Sequence, residues 1–254
     1  MEKLLVIDGP TGQHRILWGD STKQQSYEQV MQQERATFLL ADPPYCLLTR
    51  RNKKSGKLRD PKRAKINHEA VTRFENIKAY HHFTEQWLTL AVDCLTEDAM
   101  LCIWTNFLGI KPITDVLLSL GDFHLWGEFQ WCKLTTEKNS GNERLGRLYE
   151  VGLIFSKKRK PLLSNEQLPL VWSVVGHYDQ DRTASQWQNH PNHKPFSLLE
   201  PLIRQFSRPG ERILDPFCGS GSTPAAAIKL GRLISGIELR QQWAKITQQR
   251  ISVE

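Results

Sequence analysis

Between Arg212 and Glu238 the chain runs from Arg212-Ile213-Leu214 into Asp215, then Phe217-Cys218-Gly219-Ser220-Gly221-Ser222-Thr223, a helical stretch Ala225 to Leu230, and Leu233 to Ile237 ending on Glu238. An apolar strand that ends on an acid, turns through glycines and enters a helix is a building unit of parallel α/β sheets. The spacing predicts Ser222 or Thr223 as N-cap, Pro224 at N1 and Gly231 just beyond the helix. Gly219 and Gly221 let the backbone turn tightly and approach a ligand without a Cβ in the way. No Gly-Lys-Ser/Thr follows, and Pro224 stands where a dinucleotide fingerprint needs its third glycine. Glu238, at the tip of the next strand, is placed to accept from ribose hydroxyls. An acid without a phosphate-binding lysine suits a nucleoside that carries positive charge, and S-adenosylmethionine, a sulfonium nucleoside, fits.

The same alternation extends over the chain. Arg15 to Trp18 ends at Gly19-Asp20, a helical stretch covers Tyr27 to Arg35, and Thr37 to Ala41 runs into Asp42. A helix is expected around Thr84 to Leu95, strands at Ala99 to Trp104, Glu128 to Cys132 and Val151 to Phe155, and an apolar-periodic helix at Phe196 to Phe206. No repeat or Pro/Gly-rich linker divides the 254 residues, so one α/β domain is expected, with a basic loop at 46–75 and a small target-recognition region at 134–188. Apolar runs stay far below the roughly 18 residues of a membrane span, and the N-terminus has no signal-peptide pattern, so a cytoplasmic protein with no membrane partner is expected.

Asp42-Pro43-Pro44-Tyr45 carries the second chemical feature. Two prolines fix φ and remove two N–H groups, leaving the Asp42 carboxylate and the Pro43 carbonyl as acceptors. Two acceptors beside an aromatic ring match an exocyclic amine on a planar base. They take its two N–H bonds and draw the nitrogen toward a tetrahedral geometry, while Tyr45 stacks on the ring.

With both motifs quoted, the chain resembles the amino-methylating DNA methyltransferases that make N6-methyladenine or N4-methylcytosine. Asp-Pro-Pro-Tyr first and the glycine loop late is similar to the circularly permuted β group. His190-Pro191-Asn192-His193-Lys194-Pro195 resembles that group's His-Pro-x-x-Lys-Pro segment, which flanks the methionine end of the cofactor. The resemblance implies a Rossmann-like, mostly parallel sheet with helices on both faces. It implies catalytic roles for Asp42, Pro43, Pro44 and Tyr45. Its cofactor site would comprise Asp20 at the adenine, Lys194, Asp215, Phe217, Gly219, Ser220, Gly221, Ser222, Thr223 and Glu238. The Asp form of the tetrapeptide, commoner among the family's adenine enzymes, favours N6-methyladenine over N4-methylcytosine. Cys46 after Tyr45 departs from the small residue or Asn often found there.

Charge distribution points to the substrate. The chain has 34 Lys and Arg against 27 Asp and Glu, net +7. Arg50, Arg51, Lys53, Lys54, Lys57, Arg59, Lys62, Arg63 and Lys65, against Asp60 alone, supply more than that whole excess. A basic segment directly after Tyr45 is read as a clamp on double-stranded DNA, with a solvated loop as the alternative. The five cysteines are widely spaced without C-x-x-C pairing, and the histidines lack ligand spacing, so neither disulfide nor metal is expected. Cytosine C5 methylation needs a covalent thiolate attack, and its known family uses a Pro-Cys dipeptide that is absent here, leaving Cys218 as a small loop residue. The resemblance also admits a homodimer and a cognate restriction enzyme as partners. The alternative from another class is a nucleic-acid-binding protein on a non-catalytic methyltransferase scaffold.

Overall fold

The computed structural model describes residues 3–48, 72–134, 149–158, 163, 168, 171–175 and 194–252. The strands are β1 (Lys3–Gly9), β2 (Gly12–Trp18), β3 (Ala36–Ala41), β4 (Leu95–Thr105), β5 (His124–Leu134), β6 (Tyr149–Ser156), β7 (Val171–Val175), β8 (Arg212–Asp215) and β9 (Leu233–Glu238). They form one sheet in the order β1-β2-β9-β8-β3-β4-β6-β5-β7. The pairs β2/β9, β9/β8, β8/β3, β3/β4 and β5/β7 are parallel, whereas β1/β2, β4/β6 and β6/β5 are antiparallel. The sheet is therefore mostly parallel, as the resemblance implies. No helix among the described residues is long and apolar enough to cross a membrane.

Both faces are covered. Helices α1 (Gln24–Met31), α2 (Ile77–Asp93) and α3 (Phe107–Ser119) lie on one, α4 (Phe196–Phe206), α5 (Ser222–Lys229) and α6 (Gln241–Ile251) on the other. Strand alternation serves both: Leu39, Leu101 and Leu214 enter the core with Trp87, Leu88 and Val116, whereas Phe38, Cys102 and Ile213 enter the core with Leu198, Leu202 and Ala227. This two-sided burial explains why the central strands read as nearly continuous apolar runs.

From β8 the chain crosses through α5 to β9 in one direction along the sheet, and from β3 through α2 to β4 in the other. The boundary between β8 and β3 is thus a topological switch point, where an open α/β sheet leaves a crevice beyond its strand C-termini. Asp215 ends β8 and Asp42 follows β3 directly.

Several expected boundaries move. Helix α1 starts at Gln24 and stops at Met31, because Gln32 and Gln33 adopt φ of 46° and 70°. Helix α2 begins at Ile77, where the Asn76 side chain accepts from Ala79 N at 2.9 Å. Helix α5 starts on Ser222 with Gly221 as N-cap, so Pro224 is its third residue instead of its first. Proline is tolerated there because first-turn N–H groups have no helical acceptor. Helix α3, unread in the sequence, contains Gly109 and Pro112, which look like breakers. A Cβ on Gly109 would lie 2.1 Å from Thr105 Oγ1, so only glycine lets α3 pack this closely on β4. Within the region assigned to target recognition, residues 149–156 form β6, paired on both sides and buried along most of its length.

Candidate active site

The glycine loop is built from both ends of the crevice. Gly219 and Gly221 have φ of 53° and 82°, and Gly221 N donates to Cys218 O at 2.8 Å. A Cβ on Gly221 would stand 3.0 Å from the Thr247 Cα of α6, and the Thr247 hydroxyl donates to Gly219 O at 2.9 Å. Cys218 fills the space left by Gly236, where a Cβ would meet its sulfur at 2.2 Å. Burial pushes its thiol far above the ordinary range, so Cys218 is a packing residue and not a nucleophile.

Glu238 turns back on this loop. Its Oε2 accepts from Gly219 N at 2.9 Å and its Oε1 from Arg240 N at 2.8 Å. Burial raises its carboxyl to about 7 despite those two amides. Asp215 accepts from Phe217 N at 3.0 Å and is also raised to about 7 by burial. Asp20 sits at the tip of β2, where Gly19 N donates to Glu238 O at 3.0 Å, so the two acids lie on adjoining strand ends. One Asp20 oxygen accepts from the N–H and hydroxyl of Thr22, at 2.9 and 2.8 Å. The Phe217 ring meets Trp87 edge-on at 5.0 Å, which locks the start of the loop onto α2. Ser222 and Thr223 are buried in the first turn of α5, and the buried Ser220 hydroxyl has no hydrogen-bond partner among the described residues. Three acids, a turn in which Gly219 and Gly221 carry no side chain, and an orphaned hydroxyl fit a cationic nucleoside with ribose hydroxyls, the character of S-adenosylmethionine.

The second half of the site centres on Lys194, immediately before α4. Its Nζ lies 2.6 Å from Asp42 Oδ2, 2.9 Å from Glu150 Oε2 and 3.3 Å from the Tyr45 hydroxyl. Tyr45 in turn donates to Glu150 Oε2 at 2.5 Å. The rings of Trp104, Trp131 and Tyr45 surround the ammonium, with centroids at 5.1, 5.6 and 5.7 Å. Lys194 is 3% exposed and Asp42 20%, so the lysine is interior while the aspartate still reaches the crevice. Burial raises the Asp42 carboxyl; the Lys194 charge opposes that and Glu150 reinforces it. For Lys194, the attraction of the two carboxylates overcomes burial, and its pKa is raised. The Lys194 ammonium therefore stays charged at neutral pH, facing both carboxylates.

Residues 37–249 match the family described as DNA methylase, the N6/N4 group. The chain belongs to this N6/N4 DNA methylase family. It is 32% identical to YubD of Escherichia coli K12 over 66% of the chain and 70% of that protein. It is 28% identical to the type II methyltransferase M.HinfI of Haemophilus influenzae over 86% of the chain and 63% of that enzyme. The fold is also that of a solved M1.HpyAVI–SAM complex, with TM-score 0.67, 19% identity and coverage of 93% and 98%. A cytosine-N4-specific PvuII methyltransferase superposes with TM-score 0.68 and 15% identity, covering 93% of this chain and 86% of that one.

In this methylase the expected tetrapeptide and glycine loop come together at the switch point. Asp20, Asp42, Asp215 and Glu238 all lie at strand C-terminal ends. Lys194, expected at the cofactor's methionine end, has its ammonium against the Asp42 carboxylate. The reason is electrostatic: a lysine this deeply buried needs anionic partners, and Asp42 and Glu150 supply them. Sequence reasoning missed Glu150, Trp104 and Thr247. Glu150 alone left a trace, as the one charged residue in the apolar strand Tyr149–Ser156. The basic residues Arg50, Arg51, Lys53, Lys54, Lys57, Arg59, Lys62, Arg63 and Lys65, and His190 to His193, lie outside the described residues.

Proposed function

We propose that this methylase transfers a methyl group from S-adenosylmethionine to the N6 amine of an adenine flipped out of duplex DNA. The supporting observation is the adjacency of two strand ends: β8 presents the glycine loop and β3 presents Asp42, on either side of the switch point. Bound at the loop, the cofactor supplies an electrophilic methyl group on a sulfonium. Asp42, with Oδ2 held by Lys194, offers its other oxygen to an amine N–H, and the Pro43 carbonyl takes the second. These bonds orient the nitrogen lone pair without any covalent bond to the enzyme, so proximity and alignment carry the rate. Tyr45, its hydroxyl anchored on Glu150, holds a fixed ring plane on which the extruded base stacks.

Adenine is assigned on the aspartate of the tetrapeptide, since both amines offer the same two N–H groups. After incubation of duplex DNA with the protein and isotopically labelled cofactor, mass spectrometry of the digested nucleosides should show N6-methyladenine. Labelled N4-methylcytosine alone reverses the base assignment, and no labelled nucleoside rejects the enzyme reading.

Duplex binding is assigned to Arg50 to Lys65. Phe74 N donates to Leu47 O at 2.9 Å and Leu48 bridges Phe74, so the chain carrying these residues leaves and returns beside Tyr45. Each phosphate neutralised contributes roughly 0.9 to the slope of log affinity against log salt. Alanine at Arg50, Arg51, Lys53 and Lys54 should flatten that slope by up to about 4 units, read by fluorescence anisotropy, and spare cofactor binding. An unchanged slope leaves a solvated loop. A second copy of the chain and a cognate restriction enzyme stay part of this proposal as partners.

A further inference from the structure

We infer that Glu150 is a positioning residue for methyl transfer, acting on the target amine through Lys194 and Tyr45. The inference rests on the reading of Asp42 given above. In β6, Val151, Leu153 and Phe155 point into one core, while Glu150 and Ile154 face the other side with Trp104 and Trp131. Glu150 is 6% exposed. Burying a carboxylate is costly, and a buried ion pair is at best weak in net stability against apolar packing of the same shape. What Glu150 supplies is geometry and charge.

A single oxygen, Oε2, receives both the Tyr45 hydroxyl and the Lys194 ammonium. It therefore fixes the ring that receives the base and the cation that holds Asp42 Oδ2. The Tyr45 hydroxyl is shared between Glu150 and Asp42; without Glu150 it is left to Asp42 alone, competing for the carboxylate that the amine needs. Charge works in the same sense. One ammonium against Asp42 alone is a neutral pair, whereas one ammonium shared by two carboxylates leaves a net negative charge facing the amine, where positive charge grows as the methyl group arrives. Other titratable groups around Asp42 are Cys102 on β4, Tyr80 on α2 and Asp215 on β8. None of these three bridges Lys194 and Tyr45.

The test compares Glu150→Ala, the near-isosteric Glu150→Gln, and Asp42→Ala. Glu150→Ala should lower kcat by about 100-fold, Glu150→Gln by less, with cofactor Kd within about twofold of the parent in both. Glu150→Gln also removes a negative neighbour that raises the Asp42 carboxyl, so the acid limb of its pH–rate profile should move to lower pH. A merely structural role lowers thermal stability and leaves that limb in place. Parent-like kcat in both Glu150 variants, with Asp42→Ala inactive, overturns this inference alone; so does an unmoved acid limb. Turnover retained in Asp42→Ala overturns the reading of Asp42 and this inference with it.

Discussion

Asp42→Ala is expected to lower the methyl-transfer rate by about 1000-fold while changing cofactor affinity by less than about threefold. The carboxylate has two jobs in the proposed reaction. It accepts an amine N–H, which aligns the lone pair, and its charge offsets the positive charge that develops on nitrogen. Losing an aligning contact of this kind costs on the order of 100-fold, and losing a preorganised charge contributes a comparable factor in a site shielded from water. Lys194 keeps Glu150 and its three aromatic neighbours in the variant, so the fold has no unpaired buried cation to expel. Transfer of labelled methyl groups to duplex DNA measures the rate, and isothermal titration measures the cofactor. Near-parental turnover removes Asp42 from the chemistry. A loss confined to affinity moves it into the cofactor pocket.

Glu238→Ala is expected to act in the opposite way, weakening S-adenosylmethionine binding by about 100-fold. Hydrogen bonds to an ionised carboxylate are worth roughly 1.5–3 kcal/mol each, and about 2.7 kcal/mol corresponds to that factor. The loop is loosened as well, because Gly219 N and Arg240 N lose their common acceptor. The parent protein carries a pH signature of the same group. Burial holds Glu238 and Asp215 at about 7, above their ordinary values of 4.5 and 3.8. A cationic ligand with hydroxyl donors draws on the ionised acids, so affinity should rise between pH 6 and 8 by about tenfold for each acid it uses, and then level off. Stability of the free protein runs the other way. Between the ordinary values and 7 the folded state holds protons that the unfolded chain has released, so the contribution of these two groups is largest below their ordinary values and is lost as pH rises through 7. Titrations and thermal melts across that window read both trends. A cofactor affinity independent of pH, or unchanged in Glu238→Ala, places the ribose elsewhere.

The part of the site visible in the sequence is the part that depends on local backbone. Asp-Pro-Pro-Tyr and the Gly219 to Gly221 turn are dictated by φ values and missing Cβ atoms, so their spacing in the chain carries their meaning. The same holds for the strand ends at Asp20, Asp42, Asp215 and Glu238, since an acid after an apolar run marks the end of a strand. Glu150 and Trp104 depend on pairing between strands: only the antiparallel insertion of β6 between β4 and β5 brings residue 150 under residue 45. Thr247 depends on the docking of α6 against the loop. Helix α3 escaped because Gly109 and Pro112 lower helix propensity, a cost that its packing on β4 outweighs. The counter-ions of Lys194 escaped for a related reason, since Asp42 and Glu150 come from distant parts of the chain.

The pairing of β2 with β9 joins residues 15–18 to residues 235–238. The first strand of the parallel part therefore waits, during synthesis, for the last of the described strands, and the cofactor loop at Gly219 lacks its Glu238 partner until then. Contacts so far apart in the chain make folding slow, because the entropy of closing the intervening loop is lost before the strands gain anything by meeting. A nascent chain emerging from the ribosome holds Asp42 and its half of the sheet long before it can bind a nucleoside. Its apolar strand edges stay open through that interval, when chaperone capture or aggregation competes with completion of the sheet.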